Sequence, residues 1–273
     1  MSKLGLVINV PPAAGILYQN EITKGIRKAT GDEFKTPDII MRGLDWSYVK
    51  SQLNLGGPGY NRLAKEYNKI FKDFEKDGAK YIAIASNAFH VIVSYGLMDG
   101  VGIELLRPAD PVIKEIKKFK SVKTVGILGH KNIMDISGVA GYDVYTRPLL
   151  ENGYDVKIPT LKECDFVHDM VTSKEAQEQI PDISMADRWN LYTVMSNLKK
   201  AGANAILYAC PNLPKIIKLC DTGEQGKFAL RPTDHNVTLS GFGDNIRVFP
   251  ASELHVDMIV KKILEPCGHG EKC

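Results

Sequence analysis

Two segments of this sequence run apolar and then end in a side chain able to carry a proton. Tyr81-Ile82-Ala83-Ile84-Ala85 leads into Ser86, followed by Asn87, Ala88, Phe89 and His90. Ala205-Ile206-Leu207-Tyr208-Ala209 leads into Cys210, followed by Pro211, Asn212, Leu213 and Pro214. Ser86 and Cys210 lie 124 positions apart, and residues 4–9 are matched by residues 124–129, about 120 further on. Two similar halves, each with one proton carrier, suit a reaction in which a proton leaves one face of a carbon and returns to the other. Cys210 is the stronger candidate and Ser86 its counterpart, expected on opposite walls of one cleft.

The elements that must position these residues follow from the pattern of apolar positions. Residues 4–10 read as a buried parallel strand, broken by Pro11 and Pro12. Residues 16–29 read as an amphipathic helix with Ile16, Leu17, Asn20, Ile22, Ile26 and Ala29 on one face. A short strand over 38–41, a helix over about 60–77 stopped by Gly78, and a strand over 81–85 complete a strand–helix–strand order. The second half repeats it. A helix over 109–119, a strand over 123–128, a mostly helical 135–152 and a strand over 155–158 come first. A long helix over 182–200 stopped by Gly202, a strand over 205–209 and a helix over about 214–220 follow. Residues 221–245 are polar and Gly-rich and read as a lid or a small hairpin built from 227–230 and 236–239. A closing strand at 247–249 and a last helix over 252–264 are expected to return to the first half.

The predicted fold is α/β, with two similar three-layer α/β domains whose parallel sheets are related by a pseudo-two-fold axis and whose active site is the cleft between them. Residues 1–101 plus 221–273 form the first domain, carrying Ser86, and 102–220 the second, carrying Cys210. Ligands of such sheets meet the loops at the carboxyl ends of the strands. Asn9, Ser86, Cys210 and the loop after Leu128 all fall there. The helix N-termini that follow offer free N–H groups to a carboxylate or an enolate oxygen. A cysteine at such a point is expected to have a lowered pKa. Other readings stay open: Cys210 as a buried structural cysteine, Ser86-Asn87 as ordinary turn chemistry, and His90 and His255 as capping or packing residues.

Composition removes several function classes. The net charge is +3 and the lysines are scattered, so no basic stripe marks a nucleic-acid face. No run approaches the ~18 apolar residues of a membrane span, and no secretory signal is expected of an N-terminus that enters a strand directly. Five cysteines (Cys164, Cys210, Cys220, Cys267, Cys273) at wide spacing fit reduced thiols in a cytoplasm. The tail from Cys267 through His269 to Cys273 reads as a frayed end, and no metal is expected. Asn9-Val10-Pro11-Pro12 stands where a nucleotide-binding Gly-x-Gly-x-x-Gly loop would be, and there is no Gly-x-Ser-x-Gly elbow.

With these motifs in place, the chain resembles the aspartate/glutamate racemase superfamily over nearly its whole length. Relatives within it include hydantoin racemases, maleate isomerases and arylmalonate decarboxylases. The family's opening Gly-Gly-Met-x-Pro segment is similar to 8–15, including Asn9 and Pro12. Its Cys-Asn-Thr-x-His segment falls on Ser86, Asn87, Ala88, Phe89 and His90. Its Gly-Cys-Thr-Glu-hydrophobic-Pro segment falls on Ala209 to Pro214. Its Leu-Gly-Thr segment falls on Leu128, Gly129 and His130, and its closing helix on Ser252 to His255.

The resemblance implies a racemase or epimerase of a small carboxylate, an acidic amino acid such as aspartate or glutamate. It implies no cofactor and no metal, and a homodimer. Cys210 would serve one face of the α-carbon, and Ser86 would stand where the other cysteine is expected. Asn87 would bind the carboxylate, with Asn9, Pro12, Ala88, Pro211, Asn212, His130 and His255 lining the substrate and His90 a possible relay. Arg42 or Lys162 would be candidates for a side-chain carboxylate. Ser86 is a departure: a hydroxyl is a far weaker base than a thiolate near neutral pH. Racemisation would then be lopsided, as in members that carry a hydroxyl residue here and favour L-substrates. The alternatives are a single-cysteine decarboxylase or cis–trans isomerase built on Cys210, an inactive carboxylate-binding homologue, and an engineered Cys→Ser variant.

Overall fold

The computed structural model describes residues 1–134, 141–173, 184–214, 236–239 and 244–265. The chain divides into one unit of residues 1–108 plus 253–273 and another of 109–252. The first contains β1 (Leu4–Val7), α1 (Pro12–Thr30), β2 (Ile39–Arg42), α2 (Trp46–Asn54), α3 (Gly57–Lys76), β3 (Tyr81–Ile84), a 3-10 helix (Ala88–Tyr95) and β4 (Glu104–Leu105). The second contains α4 (Ala109–Ile116), β5 (Thr124–Gly129), α5 (Lys131–Met134), a π-helical turn (Tyr142–Thr146), α6 (Arg147–Glu151), β6 (Asp155–Lys157), α7 (Leu161–Thr172), α8 (Met185–Lys200), β7 (Ala205–Ala209), β8 (Asn236–Leu239) and β9 (Asp244–Pro250). Helix α9 (Ala251–Leu264) then carries the chain back into the first unit.

Each unit is built on a mostly parallel sheet. The first has the order β2-β1-β3-β4 and the second β6-β5-β7-β9-β8. β1 and β5 hold equivalent places, as do β3 and β7. All pairings are parallel except β8 with β9. Sheets covered on both faces need apolar residues at consecutive positions, and β1 and β7 are buried at every residue.

In the first unit, Leu4 and Leu6 pack with Tyr18, Ile22 and Ile26 of α1 and with Val256, Ile259, Val260 and Ile263 of α9. Each such buried aliphatic side chain contributes about 1.5–3 kcal/mol relative to exposure. The inward stripe of α1 is Ala14, Tyr18, Ile22 and Ile26, an i, i+4 row. The expected face through Ile16 is therefore rotated, and Ile16 is 60% exposed. In the second unit, β5 and β7 pack against Val167, Met170 and Val171 of α7 and Leu191, Met195 and Leu198 of α8.

Two expectations are corrected. The segment 221–273 does not belong to the first half as a whole. β9 pairs with β7 through Ala205–Arg247 to Tyr208–Pro250, so 244–250 is a strand of the second sheet and only the last helix returns. The boundary of the second unit lies at 252 and its start at 109, not at 220 and 102. Residues 236–239 pair antiparallel with β9 itself. The expected partner strand 227–230 and most of the predicted lid lie outside the described residues, as does the predicted helix beyond Pro214.

Candidate active site

Ser86 and Asn9 come together at one end of the first sheet. Val7 is paired with Ile84, and both candidates lie two residues further on, at the carboxyl ends of adjacent parallel strands. Asn9 has φ 59°, in the left-handed region that asparagine enters more readily than most residues. A Cβ on Gly43 would run into the Ile8 carbonyl and lie 3.2 Å from Asn9 Cβ, so this loop is closely backed. Pro12, at the first position of α1, suits a helix start because its missing N–H would be unpaired there anyway; it is exposed.

Ser86 is 7% exposed and Asn87 1%. The Ser86 hydroxyl oxygen accepts the Phe89 N–H at 3.3 Å, a local side-chain-to-backbone bond just before the 3-10 helix. Ala88 is partly exposed. His90 Nδ1 donates to the Ser86 carbonyl at 2.8 Å, so the ring holds the main chain of residue 86, not its hydroxyl. A carbonyl can only accept, which leaves His90 Nε2 with a lone pair, buried and without a hydrogen-bond partner among the described residues. Burial lowers the His90 pKa to about 4, partly offset by the Ser86 and Asn87 carbonyls. His90 is therefore neutral near pH 7.

His255 is fully buried. Its Nε2 donates to the Leu106 carbonyl at 2.8 Å and its Nδ1 accepts from the Tyr18 hydroxyl at 3.1 Å. Both nitrogens are used inside the protein, and burial drives its pKa down to about 3. In this arrangement His255 ties α1 and the segment after β4 to the last helix. Its ring stands edge-on to Tyr18 and to His90, at centroid distances of 5.6 and 6.0 Å.

The second unit brings His130 and Cys210 together. Gly129 pairs with Ala209, and the two candidates are the next residues on adjacent strands. A Cβ on Gly129 would lie 3.1–3.2 Å from Ala209 atoms, so the strands approach closely at this point. Cys210 is partly exposed as a residue and packs against the core under β5 and β7. Burial pushes its thiol up to about 11, against the opposing pull of the Asn212 and Leu213 main chain. This corrects the expectation of a lowered pKa: the N–H groups are present, but desolvation of the thiolate outweighs them.

Pro211 is partly exposed. Asn212 Nδ2 donates to the Val171 carbonyl at 3.0 Å, tying the Cys210 loop to the end of α7. His130 Nδ1 accepts the Asn132 N–H at 3.2 Å. Burial, with His168 and Lys131 nearby, lowers the His130 pKa to about 3. His168 stands perpendicular to His130 with ring centroids 4.2 Å apart.

Arg42 does not reach toward a ligand. It is held by Asp73 at 3.1 Å and Asp77 at 2.6 Å. Lys162 is exposed near the start of α7. Among the described residues, no group of three or more His, Cys, Asp or Glu could hold a metal ion, and no helix is long and apolar enough to cross a membrane.

No family sequence model matches this chain, and no curated protein matches it in sequence. Solved structures do. The chain is similar to a structure provisionally described as an Asp/Glu racemase from Yersinia pestis, with TM-score 0.76 and 18% identity over 97% of this chain and 100% of that one. An aspartate racemase homologue from Pyrococcus horikoshii OT3 follows, with TM-score 0.69 and 20% identity over 97% and 100%. The aspartate racemase of Picrophilus torridus has TM-score 0.61 and 15% identity over 96% and 94%. The fold is that of the aspartate/glutamate racemases.

On this racemase fold, one residue near Cys210 escapes the sequence motifs. His168 belongs to α7, a helix absent from the sequence-based element order although Cys164, Val167, Met170 and Val171 recur on one face. A readable signal precedes it. Thr160 and Glu163 form a capping box, with Glu163 accepting from the Thr160 N–H at 2.8 Å.

Proposed function

We propose that this protein is a cofactor-independent racemase or epimerase of a small carboxylic acid, with an acidic amino acid, aspartate or glutamate, as its substrate class. Cys210 exchanges the α-proton on one face, and the Ser86 side serves the other. The observation that carries this reading is the matched placement of the two residues. Each follows a central parallel strand of its own sheet, β3 or β7, with a second candidate, Asn9 or His130, beside it on the adjacent strand. Asn87 is the carboxylate ligand in this reading. The five widely spaced cysteines support a cytoplasmic setting, and the family resemblance supports a homodimer.

A second reading is favoured by the protonation of Cys210. With a pKa of about 11, roughly one thiol in ten thousand is ionised at pH 7. A serine hydroxyl is protonated as well. Two carriers that rest protonated are suited to give a proton to a carbanion and poorly suited to remove one. In a decarboxylase, loss of CO₂ leaves the electron pair on carbon, the Cys210 S–H protonates it, and water restores the thiol. For racemisation, the bound substrate would have to make thiolate formation easier.

Proton NMR in D₂O distinguishes the readings. L- and D-aspartate, L- and D-glutamate and 2-substituted malonates are each incubated with the protein. Deuterium at the α-carbon without loss of carbon supports the racemase, and CO₂ release from the malonates supports the lyase. Binding without either identifies a carboxylate-binding protein.

A further inference from the structure

The outer face of α3 carries a row of cations that the sequence hides. Arg62, Lys65, Lys69, Lys72 and Lys76 are separated by two or three other residues, so along the chain they read as scattered. At about 3.6 residues per turn they fall within roughly 80° of the helix circumference. All five are exposed. The row runs about 21 Å along the axis, in alternating steps of about 4.5 and 6 Å. The opposite face is buried through Leu63, Tyr67, Phe71 and Phe74, and Phe74 lies against Gly5 of β1. The carboxylates in or next to the helix are engaged off the row. Glu66 accepts from the Tyr48 hydroxyl at 2.7 Å and Glu75 from the Gly102 N–H at 3.1 Å, while Asp73 and Asp77 hold Arg42. Lys65, Lys69, Lys72 and Lys76 make no ion pair with any described residue. Like charges three and four residues apart oppose a helix, so the row disfavours α3 until an anion covers it.

We propose that this ridge binds the phosphate backbone of double-stranded nucleic acid, without regard to base sequence. The proposal reverses, for this one helix, the expectation drawn from scattered lysines, and it is independent of the chemistry at Cys210. A basic row along a helix is the electrostatic footprint of a phosphate contact. Lysine ammonium groups act as point charges, which suits contact with phosphates and carries no base readout. No large apolar or aromatic side chain of α3 is exposed. The ridge therefore offers nothing for the bases of a single strand to stack on, and nothing to enter the apolar layer of a membrane surface. Glu66, Asp73 and Asp77 flank the ridge along one side. An extended anionic plane would press against those carboxylates as well. A rod that presents its phosphates in rows meets the cations and leaves the carboxylates to one side.

The test is fluorescence anisotropy of labelled DNA duplexes of about 20 base pairs, longer than the ridge, titrated with the full-length protein. Two unrelated sequences should bind equally. Five phosphate contacts predict a slope of log affinity against log salt of about −4.5, which is roughly a 500-fold loss between 50 and 200 mM salt. Replacing three ridge cations together (Lys65→Gln, Lys69→Gln, Lys72→Gln) should bring the slope to about −1.8 and weaken binding at 50 mM salt at least ten-fold. A control with the same net charge replaces three lysines exposed elsewhere, Lys28→Gln, Lys120→Gln and Lys200→Gln. It should bind like the unmodified protein. Circular dichroism checks that both variants are folded. No binding at 50 mM salt overturns the proposal, as does equal weakening in the ridge variant and the control. A ten-fold preference between the two sequences overturns the backbone contact. Tighter ridge-dependent binding, charge for charge, to poly-L-glutamate or to vesicles of equal parts phosphatidylserine and phosphatidylcholine assigns the ridge to another partner and overturns it too.

Discussion

His130 and Cys210 leave adjacent parallel strands from directly paired residues, Gly129 and Ala209. Their starting points are therefore one strand spacing apart, about 4.8 Å. Neither is primed as a base: the imidazole is neutral with a pKa near 3 and the thiol is held up near 11. At this end of its sheet the second unit holds a neutral imidazole beside a protonated thiol.

That protonation has a direct chemical consequence. Alkylation of Cys210 by iodoacetamide should be slow at pH 7 to 8 and rise toward a midpoint near pH 11, since only the thiolate reacts. Mass spectrometry of the Cys210 peptide across pH gives the profile. A midpoint below pH 8 would show that the main-chain N–H groups of Asn212 and Leu213 outweigh desolvation after all.

Three histidines with depressed pKa values make the fold acid-sensitive. His90, His130 and His255 have folded pKa values of about 4, 3 and 3, below the ordinary 6.5. The unfolded chain binds their protons first, so stability is full above pH 6.5 and falls as pH drops from 6.5 toward 3–4. Each contributes on the order of 1 kcal/mol per pH unit in that window. Urea unfolding at pH 7 and pH 5 should show the loss, and a midpoint unchanged between them would contradict it.

The Tyr18–His255–Leu106 chain is a fold element. Tyr18→Phe should cost about 1 kcal/mol, the worth of one hydrogen bond, although it leaves His255 Nδ1 unpaired. His255→Ala should cost about 2–4 kcal/mol by opening space and stranding both partners. Equilibrium unfolding measures both. Ligand affinity should change little in Tyr18→Phe.

The strand ends were the most legible part of the sequence. Apolar runs bounded by Pro11, Gly78 and Gly202 mark the central strands, and every candidate at positions 9, 86, 130 and 210 falls at or just past such an end. What lay beyond reading is tertiary. The last strand joins β7 because Arg247 to Pro250 pairs with Ala205 to Tyr208, a contact that no local pattern announces. His255 is indistinguishable in sequence from a ligand-facing histidine until Tyr18 and the Leu106 carbonyl occupy its two nitrogens. The raised pKa of Cys210 depends on packing from α7 and its neighbours, whereas the helix-terminus argument sees only the local N–H groups.

Arg42 should be dispensable for ligand binding. Its bonds to Asp73 and Asp77 are on the exposed face, where such pairs are worth about 0–1 kcal/mol. Arg42→Gln should lower stability by no more than that and leave aspartate and glutamate affinity unchanged by calorimetry. A ten-fold loss of affinity would place Arg42 in the site.

The most direct measurement is α-deuterium incorporation from D₂O into aspartate and glutamate by the protein, its Ser86→Cys form and its Cys210→Ala form. The racemase reading predicts exchange by the protein from one enantiomer preferentially, faster and more even exchange by Ser86→Cys, and loss of at least a hundred-fold in Cys210→Ala. No exchange by the protein or by Ser86→Cys, with either amino acid in either configuration, would contradict it.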